Sequence, residues 1–407
     1  MIPKLEEYKK SVNITSDNVI KPGLAAIEHA MDILGSPQEN LRAIHVAGTN
    51  GKGSTICFME SILHEAGIST GVFASPAMVD IHDQIRINGE NITEEQLTAS
   101  FQRIKDAGLD GMLTDFELLT AAAFVTFDRL QPDVVLIECG MGGRFDSTNV
   151  ITPMVSVISS IAKDHVGFLG DTIEQIAWHK TGIFKKGVPA VCGQLQEEAN
   201  QVAERVAEEV GCDLMIYGQD FRMEKGAPEQ FQGNLHLTIP HRRMKGPHQA
   251  VNAAVAIEAL CATGLQLSAE AIQAGIATAQ LSYRFEEVAP GVFFDGAHNP
   301  AAAAMLRRTV QEQFPGEKFD FVIGMMANKE IKATLNELLP VAHSFSFIEF
   351  EIPGAATAQY VYDQCEFGNK KVTKEDCESI ILSKGLHRKK IVSGSLYLLN
   401  SLRTHIL

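Results

Sequence analysis

Short apolar runs alternate along this chain with stretches whose apolar positions recur at helical spacing. From residue 41 to about 200 the alternation predicts a parallel α/β sheet, with strands at 41–47, 70–74, 133–138, 154–161 and 188–192. After the first strand, Ser54 to Ala66 places Ile56, Met59, Leu63 and Ala66 at helical spacing, and Gly67 closes that helix. The pattern changes between Cys212 and Pro240, which is polar and punctuated by glycine; strict alternation in Leu235-His236-Leu237-Thr238-Ile239 predicts a small antiparallel excursion. Pro247 to Leu260 returns to an alanine-rich helix. A second alternation follows Arg284, with strands predicted at 292–295, 319–324, 344–350 and 389–393. A length of 407 residues exceeds the roughly 250–300 at which single cores divide, so two domains are expected, 1–283 and 284–407.

Composition narrows the function classes. Hydrophobic residues make up 45% of the chain, ample for packed cores, while 35 basic against 50 acidic residues leave a net charge of −15. That balance argues against a nucleic-acid or anionic-membrane surface, so a small anionic ligand must be met by local cations and backbone amides. The seven cysteines, at 57, 139, 192, 212, 261, 365 and 377, form no CxxC pair and are odd in number, which fits a reducing cytoplasm. The opening residues carry no signal-peptide core, and no apolar run approaches the ~18 residues of a membrane span. A soluble cytoplasmic protein is expected.

The stretch with most chemical content is His45-Val46-Ala47-Gly48-Thr49-Asn50-Gly51-Lys52-Gly53-Ser54, between the first strand and its helix. Glycines let successive N–H groups converge on phosphate oxygens, the helix N-terminus adds the positive end of its dipole, and Lys52 can reach the outer phosphates. Chemistry on a nucleoside triphosphate is the first expectation. The general phosphate-loop spacing would require glycine at 46 and a hydroxyl residue at 53, where this chain has Val46 and Gly53.

Ligands of an open parallel sheet collect beyond the carboxyl ends of its strands. The second strand ends in Ala74-Ser75-Pro76, the third in Val134-Val135-Leu136-Ile137-Glu138, and the fourth runs out to Asp164-His165. Glu138, after four apolar residues, is placed at the edge of a buried strand, where a divalent ion would offset the cost of burying its charge. Gly140-Met141-Gly142-Gly143-Arg144 follows, flexible and carrying one cation. His165 reads either as a site residue or as a surface histidine, and Lys180, in a helical run from about Thr172, reads on spacing alone as a solvated lysine.

These strings together resemble the folylpolyglutamate synthase and dihydrofolate synthase family of Mur-type ATP-dependent amide ligases, whose shortened phosphate loop accounts for the imperfect general match. The similarity runs from Ile20-Lys21-Pro22-Gly23-Leu24 through Phe116-Glu117-Leu118-Leu119-Thr120, Gly142 to Asn149, Asp164-His165 and Lys180-Thr181-Gly182-Ile183. It continues in His248 to Ala253, Asp295-Gly296-Ala297-His298-Asn299-Pro300 and Ser393-Gly394-Ser395-Leu396-Tyr397. The resemblance implies a P-loop NTPase-like ATPase domain followed by a smaller Rossmann-like α/β domain. It implies that Gly48, Thr49, Asn50, Gly51, Lys52, Gly53 and Ser54 hold ATP, with Asn252, Arg284 and Asp295 at nucleotide-contacting positions, the last two reaching across from the second domain. Ser75 and Glu138 would hold one magnesium ion and Glu138 and His165 a second. Lys52, His165 and Lys180 would be catalytic, with Lys180 at the position the family carbamylates, and a potassium ion is allowed for. Asp146, His298 and Ser395 fall at substrate-binding positions.

The implied reaction adds L-glutamate to a folate or to dihydropteroate through an acyl phosphate, in a monomer. The chain departs from the family at Ala77, Met78, Asp83 and Gln84, where a histidine and a Glu-Arg-Ile run are usual, which leaves acceptor preference open. Three other readings stand beside this one: a peptidoglycan-type Mur ligase, a non-catalytic nucleotide-binding regulator, and a paralogue that uses another carboxylate.

Overall fold

The protein is described here by a computed structural model covering residues 4–17, 23–164, 166–373 and 388–406. The chain divides into two compact units, one of Met1–Arg243 with Val251–Ala279, the other of Met244–Ala250 with Gln280–Leu407.

The first unit is built on eight strands: β1 (Ala43–Ala47), β2 (Thr70–Phe73), β3 (Ile85–Ile87), β4 (Glu90–Asn91), β5 (Val134–Glu138), β6 (Val155–Ile158), β7 (Ala190–Cys192) and β8 (Leu214–Ile216). Their order is β4-β3-β2-β5-β1-β6-β7-β8, with every adjacent pair parallel except β2–β3 and β3–β4, so that β3 alone is reversed. Every residue of β1, β2, β5 and β6 is buried, as expected of strands covered on both faces. The register places Val46 opposite Glu138, Ala47 opposite Ile158 and Phe73 opposite Ile137. Four strand ends therefore finish together, and the segments after β1, β2, β5 and β6 leave the sheet at one edge. The polar excursion forms a separate antiparallel sheet of β9 (Arg222–Glu224), β10 (Glu229–Gln232) and β11 (His236–Ile239).

The second unit carries β12 (Glu286–Ala289), β13 (Val292–Asp295), β14 (Phe319–Ile323), β15 (Ala342–Phe347), β16 (Lys370–Val372) and β17 (Lys390–Ser393), in the order β12-β13-β17-β14-β15-β16. Only β12 is antiparallel to its neighbour. Its core is aromatic: Phe319, Phe321, Phe345 and Phe347 are fully buried, and Phe321 stacks on Phe345 at 5.4 Å.

The parallel frame of both units matches the alternation of the sequence. The short strands β3, β4, β8, β12 and β16 do not stand out in it. They lie at or beside sheet edges, where a half-exposed strand of two to four residues leaves too little apolar signal. Among the described residues, no helix is long and apolar enough to cross a membrane.

Candidate active site

The phosphate loop leaves β1 at Gly48 and enters the helix Lys52–Glu65 through Gly51, whose φ of 87° lies in the left-handed region. A side chain at Gly51 would place its Cβ 2.6 Å from Asn252 Oδ1, and one at Gly48 would meet Ser159 Oγ at 2.0 Å. Both positions require glycine, because the loop is pressed against its neighbours. It is strapped to the segment after β6. Thr49 N–H donates to the Ser160 carbonyl at 2.8 Å and Asn50 N–H to Ser160 Oγ at 3.0 Å. The Ser159 and Ser160 hydroxyls both donate to the Asn50 carbonyl at 2.8 Å, and Thr49 exchanges two 3.0 Å bonds with the backbone of Ala162.

Two lysines converge on this loop. Lys52 Nζ donates to the Gly48 carbonyl at 3.2 Å, and Lys180 Nζ donates to the same oxygen at 2.9 Å. Glu138, 5% exposed at the end of β5, lies 3.6 Å from Lys52 through Oε1. Lys180, near the end of the helix Ile173–Thr181, is 3% exposed. The solvated-lysine reading is thereby overturned. Burial, reinforced by the charge of Lys52, pushes its ammonium down from 10.5 to about 7. Gly48, Lys52, Gly140, Gly142, Asp164 and Lys180 are among the residues lining a small open cleft at this point. Ser75 stands half-buried after β2. His165 lies outside the described residues.

The glycine-rich segment after β5 is held from below. Asp146 is buried, with Oδ2 accepting from Met141 N–H at 2.8 Å and Oδ1 from Thr148 N–H at 3.1 Å and the Thr148 hydroxyl at 2.6 Å. Burial raises its carboxyl above the usual range. His45, on β1, reaches Thr148 Oγ1 through Nε2 at 2.8 Å and lies 3.1 Å from Cys139 Sγ. Burial lowers the imidazole to about 3, with the Lys185 charge adding to the effect, so His45 stays neutral. With the Thr148 hydroxyl donated to Asp146, Nε2–H is the donor to Thr148. A buried relay thus runs from β1 to the loop whose position Asp146 fixes. The sequence reading gave no role to His45, Cys139 and Thr148, since they lie in three separate segments and no local pattern marks contacts between such segments. Arg144 and Lys185, the nearby cations, are committed locally. The Arg144 guanidinium lies 4.0 Å over the Trp178 ring, and Lys185 Nζ donates to the Asn149 carbonyl at 3.0 Å.

Residues 46–260 match the family described as the Mur ligase middle domain, and residues 280–405 match the dihydrofolate synthetase C-terminal domain. The chain is 36% identical over 413 aligned positions to a dihydrofolate synthase/folylpolyglutamate synthase of Bacillus subtilis, covering 95% of each chain. It belongs to that family. Among solved structures, Escherichia coli FolC in complex with DHPP and ADP superimposes with a TM-score of 0.90 at 33% identity, covering 99% of this chain and 97% of that one. A Yersinia pestis bifunctional folylpolyglutamate synthase/dihydrofolate synthase complexed with AMPPNP and Mn ion does so at 0.89 and 30% identity, covering 99% and 98%. The fold is that of the Mur ligases, and the enzyme class is that of ATP-dependent ligases.

In the second unit of this family member, Asp295 ends β13 and is buried, accepting from Phe285 N–H and Ala297 N–H at 3.0 Å each. Burial raises its carboxyl to about 6 against the opposing charge of Arg284. His298 Nδ1 lies 2.9 Å from the Gly296 carbonyl. Ser395 is buried just before the helix Leu396–Ile406, and its Oγ has no hydrogen-bond partner among the described residues.

Proposed function

We propose that this chain joins L-glutamate to a reduced folate, with dihydropteroate as a second acceptor, through an acyl phosphate made from ATP. A carboxylate oxygen of the acceptor attacks the γ-phosphorus and ADP leaves. The glutamate amine then attacks the carbonyl carbon, and phosphate leaves with the former carboxylate oxygen. The observation that carries this reading is the convergence of Lys52 and Lys180 on the Gly48 carbonyl, with buried Glu138 3.6 Å from Lys52. Within the loop Gly48 to Ser54 the amides of Thr49 and Asn50 are tied to Ser160, so the amides at the start of the helix Lys52–Glu65 face the phosphates, and Lys52 exchanges its carbonyl partner for the γ-phosphoryl oxygens. Asn252, against Gly51, and Arg284 and Asp295 of the second unit serve the nucleotide, while Asp146, His298 and Ser395 serve the acceptor and glutamate.

The buried carboxylate of Glu138 and the hydroxyl of Ser75 suit a hard divalent cation. Glu138 with Ser75 would hold one magnesium ion and Glu138 with His165 a second, together offsetting negative charge on the transferring group. Lys180 works as a carbamate, and a potassium ion remains part of the reading. The partners are small molecules, and the working unit is a cytoplasmic monomer.

Phosphate release with dihydropteroate, reduced folates and muramyl precursors, each with and without glutamate, tests the assignment. Glutamate-dependent release with a pterin acceptor is expected; release only with another carboxylate transfers the chain to the paralogue reading.

The four family departures divide by structure. The Asp83 carboxylate accepts from Met78 N–H at 2.9 Å and Val79 N–H at 2.7 Å, which gives both Asp83 and Met78 to loop shape. Ala77 is buried, at 1% exposed. Gln84 is buried with only a 3.4 Å contact from Nε2 to the Ala74 carbonyl and with Oε1 unpartnered among the described residues. Gln84→Arg should therefore shift the ratio of kcat/KM between dihydropteroate and polyglutamyl folates about tenfold, at similar magnesium dependence. An unchanged ratio removes Gln84 from acceptor choice.

A further inference from the structure

Arg284 stands between two aromatic residues in the left-handed region, Tyr283 at φ 64° and Phe285 at φ 49°. A bulky side chain there is a genuine outlier, and two around one arginine persist only where the surroundings over-determine them. Here they do. Tyr283 N–H donates to Glu286 Oε2 at 2.9 Å and Phe285 N–H to Asp295 Oδ2 at 3.0 Å, so a carboxylate takes the amide on either side of Arg284. The Tyr283 carbonyl accepts from Gly296 N–H at 2.8 Å and from Arg284 Nη1 at 3.1 Å. The Tyr283 hydroxyl reaches Asn400 Oδ1 at 3.2 Å, and the Phe285 ring stacks on Phe293 at 4.7 Å.

Glu286 is itself held. Arg403, on the helix Leu396–Ile406, donates through Nη1 to both of its oxygens, at 3.0 and 2.9 Å, and the Glu286 side chain is 10% exposed. Glu286 is largely withdrawn from water while the Arg403 side chain is 31% exposed, so the pair is screened less than one exposed on both sides. The chain of contacts runs from the last helix, through Arg403 and Glu286, to the amide of Tyr283 and so to the backbone that carries Arg284.

We propose that Glu286 and Arg403 are positioning residues for the ligation: they fix the Tyr283–Phe285 arch so that Arg284 is presented to the nucleotide phosphates. The proposal rests on the nucleotide role of Arg284. It also gives Asp295 a stated task, since that carboxylate pins the other shoulder of the arch. A plain staple between the last helix and the sheet would change melting temperature and leave the ATP dependence of the rate alone. Positioning through Arg284 changes the ATP dependence and is lost when Arg284 is absent.

The test is steady-state ligation over a range of ATP concentrations for Arg284→Ala, Glu286→Gln, Arg403→Leu, Arg403→Lys and the double variant Glu286→Gln/Arg284→Ala, with a thermal melt for each. Glu286→Gln and Arg403→Leu should each lose roughly ten- to a hundredfold in kcat/KM for ATP with KM for glutamate unchanged. The double variant should be no worse than Arg284→Ala, and Arg403→Lys should recover part of the loss. If Arg284→Ala is impaired while Glu286→Gln and Arg403→Leu keep normal ATP kinetics, or if the losses multiply in the double variant, the positioning role is wrong and the nucleotide role of Arg284 stands. Normal ATP kinetics in Arg284→Ala would overturn that role and the proposal with it.

Discussion

Glu138→Ala should lose about three orders of magnitude in turnover or more while the protein stays folded. The carboxylate closes a strand that is buried throughout, and its neighbours in register, Val46 on β1 and Ile137 before it, offer no polar replacement. Its Oε1 lies 3.6 Å from Lys52 Nζ, which also reaches for the Gly48 carbonyl. Removing the carboxylate leaves Lys52 and Lys180 facing each other with less to balance them, and it takes from the metal positions the one residue assigned to both. Folding should survive, because Glu138 is the last residue of its strand and alanine fits a strand end. Ligation rates across a magnesium titration, with circular dichroism as the folding control, give the answer. Near-normal ligation at ordinary magnesium concentrations would remove Glu138 from the metal site. Glu138→Gln separates the contributions: it keeps size and hydrogen bonding, so a comparable loss assigns the effect to charge.

Glu138 was legible in the sequence because four apolar residues before a carboxylate leave it little choice but the carboxyl edge of a sheet. The phosphate loop was legible for a related reason: its glycines are required by close approach, and the Cβ distances at Gly48 and Gly51 show the approach is real. Lys180 was not. On periodicity it is one residue in a helical run that also contains the exposed Trp178, and what buries it is the loop after β1, more than a hundred residues earlier in the chain. His45 was invisible in the same way, since its partners Thr148 and Cys139 come from other parts of the chain. Even strings that carry the family resemblance owe part of their pattern to folding. In Phe116 to Thr120, Glu117 completes a capping box with Thr114, Phe116 stacks on Phe73 at 5.8 Å, and the Thr120 hydroxyl pairs with Ser147 at 2.7 Å. The arch at Arg284 could not be read at all. Nothing in Tyr283-Arg284-Phe285 announces positive φ, because such backbone is normally signalled by glycine or asparagine.

Turnover should depend on carbon dioxide, and the dependence should steepen as pH falls through about 7. The reason lies in Lys180. A carbamate forms when a neutral amine attacks carbon dioxide, making an N–C bond and releasing a proton, so an ordinary lysine near 10.5 is almost never ready to react at neutral pH. Burial and the nearby charge of Lys52 bring Lys180 down to about 7, where about half of it is neutral. The sign follows directly: above 7 the amine is available, and below it each pH unit removes roughly tenfold of the reactive form. The product is an anion where two lysines now share one carbonyl oxygen, so modification relieves the repulsion from Lys52 that adds to burial in lowering the pKa. In buffer stripped of carbon dioxide, activity at pH 6 should therefore fall well below that at pH 8, and bicarbonate added at constant pH should restore it. Lys180→Ala should lose roughly two to three orders of magnitude in turnover and regain part of it with formate or acetate, which supply the missing carboxylate. Carbon-13 NMR on protein equilibrated with labelled bicarbonate gives a readout independent of turnover, a carbamate signal that Lys180→Ala lacks. Full activity without carbon dioxide, together with no such signal, would leave Lys180 as a bare amine whose work is to hold the Gly48 carbonyl and shape the phosphate loop.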